Sequence, residues 1–448
     1  MPRPNLSSSV LTFLILIFAV SSSVRGQLAN SPWPDYGGGL SNTHVANAIG
    51  PSNPQIAWIY DLASPQPGIQ SYAFNQPVIG ADGTVFFITM PGGLAQNVVA
   101  LNPDGTEKWV VYGRATTQPA GWAAINAQGQ LLYMRGLNGS ADSHITALNA
   151  QNGSQLWVGP SLQTPYDTGP TVANDGTIYA TDSQKDLQSL KSTGQLNWSV
   201  AAGGAYVNPA IDSNGDVFTG GRSLSAVDSA GTVLWSIATQ NQPVFDRIRL
   251  FLSPAIDSNG NIFVGTTASV NDSGYFLAVD ALGHQIWERD GVSGAAAIGP
   301  DGTIYAGWQG ILHAMSPIDG HDLWTYNTGQ IDSNGSEGVT IDRLGNIYLS
   351  TIDGRVLSLT SQGTLRWELS LMPDATEDLY MSAPVIGANG DLYIGGGYSG
   401  EIFAIRNVPE ISSLSLTTVG FLSFVLLFKL KIIRRNQESE VQRRNRVG

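Results

Sequence analysis

The chain has 448 residues, 42% of them hydrophobic, with 52 glycines and a formal net charge of −13; this excludes disorder over most of its length and implies many turns. It contains no cysteine, which rules out disulfides, thiolate metal sites and a lipid-bearing N-terminal cysteine, so stability must come from packing. The acidic balance argues against nucleic acid or an anionic membrane surface as a partner.

Residues 1–26 open with MPRPNLSSS, continue into the apolar run VLTFLILIFAV and end at Val24-Arg25-Gly26. The run is short for a membrane span, so the segment reads as a secretory signal peptide cleaved after Gly26; an uncleaved anchor is the alternative. Residues 27–53 form a lead-in without strand alternation.

From residue 54 to 407 the chain repeats. Trp58, Trp109, Trp157, Trp198, Trp235, Trp287, Trp324 and Trp367 recur at intervals of about 40 residues. From the second onward each follows a glycine four positions earlier: Gly105, Gly153, Gly194, Gly231, Gly283, Gly320 and Gly363. Before that glycine comes a short apolar strand such as VVALN or FLAVD, and upstream again a hairpin such as PVIGADGTVFFI or AAIGPDGTIYA. Alternating β-branched and aromatic residues around X-Gly turns are a hairpin signal, so each unit predicts four short strands. The pattern fits an all-β, eight-bladed β-propeller of four-stranded blades, with a solenoid as the weaker alternative. The last repeat, 382–407, supplies three strands and no Trp strand, whereas PQIAWIYDL at the start has a Trp strand and no three before it. The N-terminal strand is therefore expected to complete the last blade.

This order puts the X-Gly turns on one face and the longer, variable connections on the other, where binding surfaces usually lie. There the sequence offers Arg247, Arg249, Trp122, Tyr166, Trp308 and Tyr380 as candidate contacts, arginine and aromatics being typical interface anchors. The stretches Asp257-Ser-Asn-Gly260 and Asp212-Ser-Asn-Gly215 resemble the start of a calcium loop, but their glycine comes too early and no glutamate closes the loop. They read as turns. The five histidines show no metal spacing, and neither a catalytic residue nor a metal ligand set is expected. A second apolar run, 414–433, is followed by Arg434 and Arg435, which would leave residues 436–448 as a cytoplasmic tail and the repeats outside.

The motif Ala100-Leu-Asn102…Gly105…Trp109, with Ala226-Val-Asp228…Gly231…Trp235 and Ala278-Val-Asp280…Gly283…Trp287, resembles the tryptophan-docking pattern of the pyrroloquinoline-quinone-like (PQQ-like) β-propeller repeat family. The resemblance implies that each Trp packs between neighbouring blades. It also implies one of two functions: a non-catalytic scaffold that binds a protein or cell-envelope ligand, or a quinoprotein alcohol or sugar dehydrogenase using PQQ and Ca²⁺. The family's dehydrogenases usually carry a vicinal cysteine pair that this chain lacks, so the scaffold without a cofactor is the favoured expectation. Residues 408–435 resemble a PEP-CTERM sorting signal, which implies exosortase processing; a plain single-pass anchor is the other reading. Either way the propeller is expected to be extracytoplasmic and held at a membrane.

Overall fold

The structure, a computed structural model, describes residues 29–62, 71–91, 97–113, 121–136, 143–162, 169–182, 186–204, 207–238, 250–266, 274–329, 338–373 and 379–408. Within them, eight antiparallel four-stranded blades form a ring, numbered here in chain order: blade 1 spans residues 78–111, blade 2 123–161, blade 3 171–201, blade 4 210–238, blade 5 255–290, blade 6 297–327, blade 7 340–370 and blade 8 385–407. Blade 6 is typical, with an inner strand Ala297–Ile298, second and third strands Ile304–Trp308 and Ile311–Met315, and an outer strand Asp322–Asn327. The N-terminal strand Pro54–Asp61 pairs with Glu401–Asn407 as the outer strand of blade 8, as the sequence predicted. A short additional strand, Ser71–Tyr72, pairs with the far end of the second strand of blade 1.

The core lies between blades rather than within them, because inner, second and third strands are buried on both faces while outer strands alternate. One cluster joins Phe263, Phe276 and Trp287 of blade 5 to Ile298, Ile304 and Met315 of blade 6. The largest joins blades 7, 8 and 1 and so closes the ring with apolar contact as well as strand pairing.

Each Trp docks forward, onto the next blade. The Trp235 indole N–H donates to the Ala281 carbonyl at 2.9 Å, and its ring lies where a side chain on Gly283 would have to sit. Trp58, Trp109, Trp198, Trp287 and Trp324 repeat this on Pro103, Ala150, Ser229, Pro317 and Ser361. The recurring glycine thus serves the preceding blade's Trp, which sequence spacing alone does not reveal. Trp367 finds its acceptor at 2.7 Å on Pro51 in the lead-in, so the same contact closes the ring between blades 7 and 8. Trp157 is the exception: its ring lies against Gly194, but its buried N–H has no partner among the described residues.

The Asp-Ser-Asn-Gly stretches are hairpin turns. Asp257 Oδ1 accepts the amides of Asn259 and Asn261, both at 2.8 Å, and Asp212 does the same for Asn214 and Asp216 at 2.9 Å. Within these turns only the glycines, Gly260 and Gly215, take positive φ, at 82° and 89°. Each is a three-residue loop whose Asp side chain satisfies the turn amides.

Candidate functional site

The lead-in runs round the inside of the ring. Inner strands pair on one side only, so their remaining amides need partners along the axis. The amides of Ile79, Ile125, Ile211, Ile256, Ile298 and Ile341 donate to the carbonyls of Trp33, Pro34, Leu40, Ser41, Thr43 and His44 at 2.7–3.0 Å. Six of the eight inner strands are thereby bound by one segment. A single turn of 3₁₀ helix, Tyr36–Gly38, lets it bulge toward the long-loop end of the axis. There Asn42 donates from Nδ2 to the Pro254 carbonyl at 3.1 Å, and Tyr36 packs edge-on to Trp122 and His44, with ring centroids 5.2 and 5.0 Å apart. Asn42 and His44 both hold left-handed φ, an uncommon conformation for non-glycine residues that the surrounding ring maintains.

This axial cluster is polar and buried. Asp35 is fully enclosed, and burial pushes its carboxyl up to about 8; the Gly39 amide offsets only part of the shift. Burial takes His44 down to about 4. Both are therefore neutral at pH 7. Among the described residues, His44 Nδ1, Trp33 Nε1, Gln76 Nε2, Trp122 Nε1 and Asn208 Nδ2 have no hydrogen-bond partner. The cluster does not match the set that a quinone and Ca²⁺ require: no three His, Asp or Glu side chains converge on a possible metal position among the described residues, and aromatic rings of the lead-in fill the axis. No chemistry is derived through that group.

The long-loop face carries a second feature, at the junction of blades 8 and 1. Tyr72 and Phe74, just before blade 1, meet Tyr398 from the second-to-third connection of blade 8 at centroid distances of 5.1 and 4.8 Å, and Tyr380 meets Tyr398 at 5.6 Å. Backbone pairing holds the patch. Ala73 and Gly397 exchange amide-to-carbonyl bonds at 3.2 and 3.1 Å, and Tyr398 N–H donates to the Leu379 carbonyl at 2.8 Å. Position 397 must be glycine, because a Cβ there would overlap the Leu379 carbonyl. Tyr380 is held at φ 51°, a strained value for an aromatic residue. Tyr398 is 43% exposed and the other three rings are half-buried, so the patch presents aromatic surface to solvent.

Of the residues singled out from sequence, Tyr380 joins this patch. Trp122 and Trp308 do not offer the surface expected of them: Trp122 is packed under Tyr36 at the axis, and Trp308 is buried at the end of the second strand of blade 6. In that blade the connection on the long-loop face is only Gln309-Gly310, which folds the indole inward. Arg247, Arg249 and Tyr166 lie outside the described residues, as do residues 1–28 and 409–448. Among the described residues no helix is long and apolar enough to cross a membrane. Sequence reading missed Tyr72, Phe74 and Tyr398.

Together these features define an eight-bladed β-propeller with a filled axis. Residues 141–299 match the family model described as outer membrane protein assembly factor BamB. The fold is similar to that of BamB from Moraxella catarrhalis, at 16% identity over 78% of this chain and 98% of that one, with a TM-score of 0.53. It is also similar to quinohemoprotein alcohol dehydrogenase from Comamonas testosteroni, at 13% identity over 83% and 80% of the two chains, TM-score 0.60. The computationally designed Ika8 protein aligns at 12% identity over 77% and 98%, TM-score 0.53. At these identities the likeness shows the fold alone. No curated protein sequence matches the chain.

Proposed function

We propose that the protein is a non-catalytic, exported propeller scaffold that binds a protein partner through its long-loop face and is held at a membrane by its C-terminal apolar segment. The observation that carries the reading is the Tyr72, Phe74, Tyr380 and Tyr398 patch, whose rings are fixed by backbone pairing and by a strained φ rather than left mobile. Clustered aromatics with little conformational freedom to lose are what a protein interface uses as anchors. The family match to an assembly factor supports the same reading. The apolar segments at 10–20 and 414–433 support an extracytoplasmic, membrane-held location, and an exosortase remains a candidate for processing residues 408–435. A PQQ-dependent alcohol or sugar dehydrogenase is the second reading; the quinohemoprotein shares its fold with this chain.

One pair of experiments separates them. Affinity capture from envelope extracts with the wild-type chain is expected to return a stoichiometric partner that Tyr398→Ala together with Tyr72→Ala loses. Dye reduction with an alcohol or aldose on adding PQQ and Ca²⁺ would overturn the scaffold reading.

A further inference from the structure

Three turn tips on the short-turn face carry large aliphatic side chains that the fold does not require. Leu282 is 71% exposed in the third-to-outer turn of blade 5, Ile318 80% exposed in that of blade 6, and Leu344 64% exposed in the inner-to-second turn of blade 7. On other blades the matching slots hold polar residues, such as Asp104 and Gln362 for Leu282, Gln151 for Ile318, and Asp82 and Asn389 for Leu344. Single exposed aliphatics are ordinary, but here three such tips fall on consecutive blades of one face. Ile318 also lines a cleft of about 640 Å³, together with Ile286, Pro300 and Pro317 and the polar Asp257, Asn259 and Asp301.

The same face is where the chain leaves the ring. Val408 N–H donates to the Asn53 carbonyl at 2.8 Å, at the end of the blade 8 strand Glu401–Asn407. Leu414 opens the C-terminal apolar run. The intervening residues, fully extended, span at most about 20 Å. An inserted segment therefore keeps the short-turn face beside the bilayer and turns the aromatic patch away from it.

We infer that blades 5–7 seat on a zwitterionic lipid surface, with Leu282, Ile318 and Leu344 entering the interface. The inference rests on the membrane-held reading above. Aliphatic tips enter the headgroup region for the apolar area they bury there, while the neighbouring Asp280, Asp301 and Asp319 disfavour an anionic leaflet. The propeller is then fixed by two contacts, the segment and the face, so its orientation is set and the long-loop face is presented outward.

The absence of cysteine gives a clean test. Single variants Leu282→Cys, Ile318→Cys and Leu344→Cys of the full chain, and Ala238→Cys at the long-loop end of blade 4 as reference, carry an environment-sensitive dye in phosphatidylcholine vesicles. The chain is expected to float with the vesicles, and the dye at 282, 318 and 344 to shift to the blue and be quenched at least twofold more than at 238 by a lipid-borne quencher. A chain that floats while all four positions behave alike overturns the seating and leaves the anchor standing. A chain that does not float overturns both. A blue shift that needs no lipid and grows with protein concentration assigns the tips to self-association and overturns the proposal.

Discussion

The buried Asp35 and His44 give the protein a definite dependence of stability on pH. The Asp35 carboxyl is raised from 3.8 to about 8 in the folded state, so above pH 4 the ring keeps a proton that the unfolded chain releases. Its contribution therefore falls as pH rises, by about 1.4 kcal/mol per unit. His44 is lowered from 6.5 to about 4; between those values the unfolded chain takes up a proton that the ring refuses, so its contribution rises with pH at the same rate. From pH 4 to 6.5 the two slopes cancel. From 6.5 to 8 only Asp35 acts, and its contribution falls by about 2 kcal/mol. Asp35→Asn removes the titrating group and keeps the shape. It is expected to abolish that loss and to stabilise the ring at pH 7 by up to about 4 kcal/mol, the linkage value for a shift of this size. Urea midpoints at pH 5, 6.5 and 8 for both chains measure the difference. If the variant tracks the wild type through 6.5–8, Asp35 is not buried as a neutral acid and the filled-axis argument fails.

Three further outcomes follow from the packing. Gly320→Ala places a Cβ 2.6 Å from Trp287 Cε3 at a left-handed φ and is expected to cost about 2–4 kcal/mol in denaturant unfolding, whereas Gly215→Ala, left-handed but in open space, costs about 1 kcal/mol; equal costs would refute the docking role of the glycine. Asn407 Oδ1 accepts the amides of Ser52 and Asn53 at 2.8 and 2.9 Å, so Asn407→Ala is expected to loosen the ring closure by about 1 kcal/mol, seen as faster hydrogen exchange in 54–61, and unchanged exchange would remove that latch. Asp257→Ala is expected to cost about 1 kcal/mol through its two turn amides, with no calcium binding by calorimetry in either chain; micromolar binding that the variant loses would restore the metal reading.

Much of the ring was legible because its signals are local. A Trp strand after a glycine turn, repeated at a steady interval, states both the blade and its boundary, and the unmatched strands at the two ends state the closure. The filled axis was not legible, because the lead-in binds six blades through its own carbonyls, which no side-chain pattern records. The aromatic patch was missed for another reason: Tyr72 and Tyr398 lie near opposite ends of the repeat region and meet only because the ring closes. Trp122 and Trp308 show the converse, since a large aromatic near a loop reads as surface until the lead-in and a tight turn bury it.

The protein joins a closed ring, a filled axis and two unlike faces, one presenting aromatic rings and one carrying the exit toward the apolar segment. The proposed partner site is the blade 8–blade 1 junction. The most direct measurement replaces Tyr398, and separately Gln362 on the short-turn face, with a photo-crosslinking amino acid in the full chain and irradiates intact cell envelopes. Position 398 is expected to give one protein adduct of discrete mass that position 362 does not give; no adduct at 398, or the same adducts from both positions, would contradict the claim.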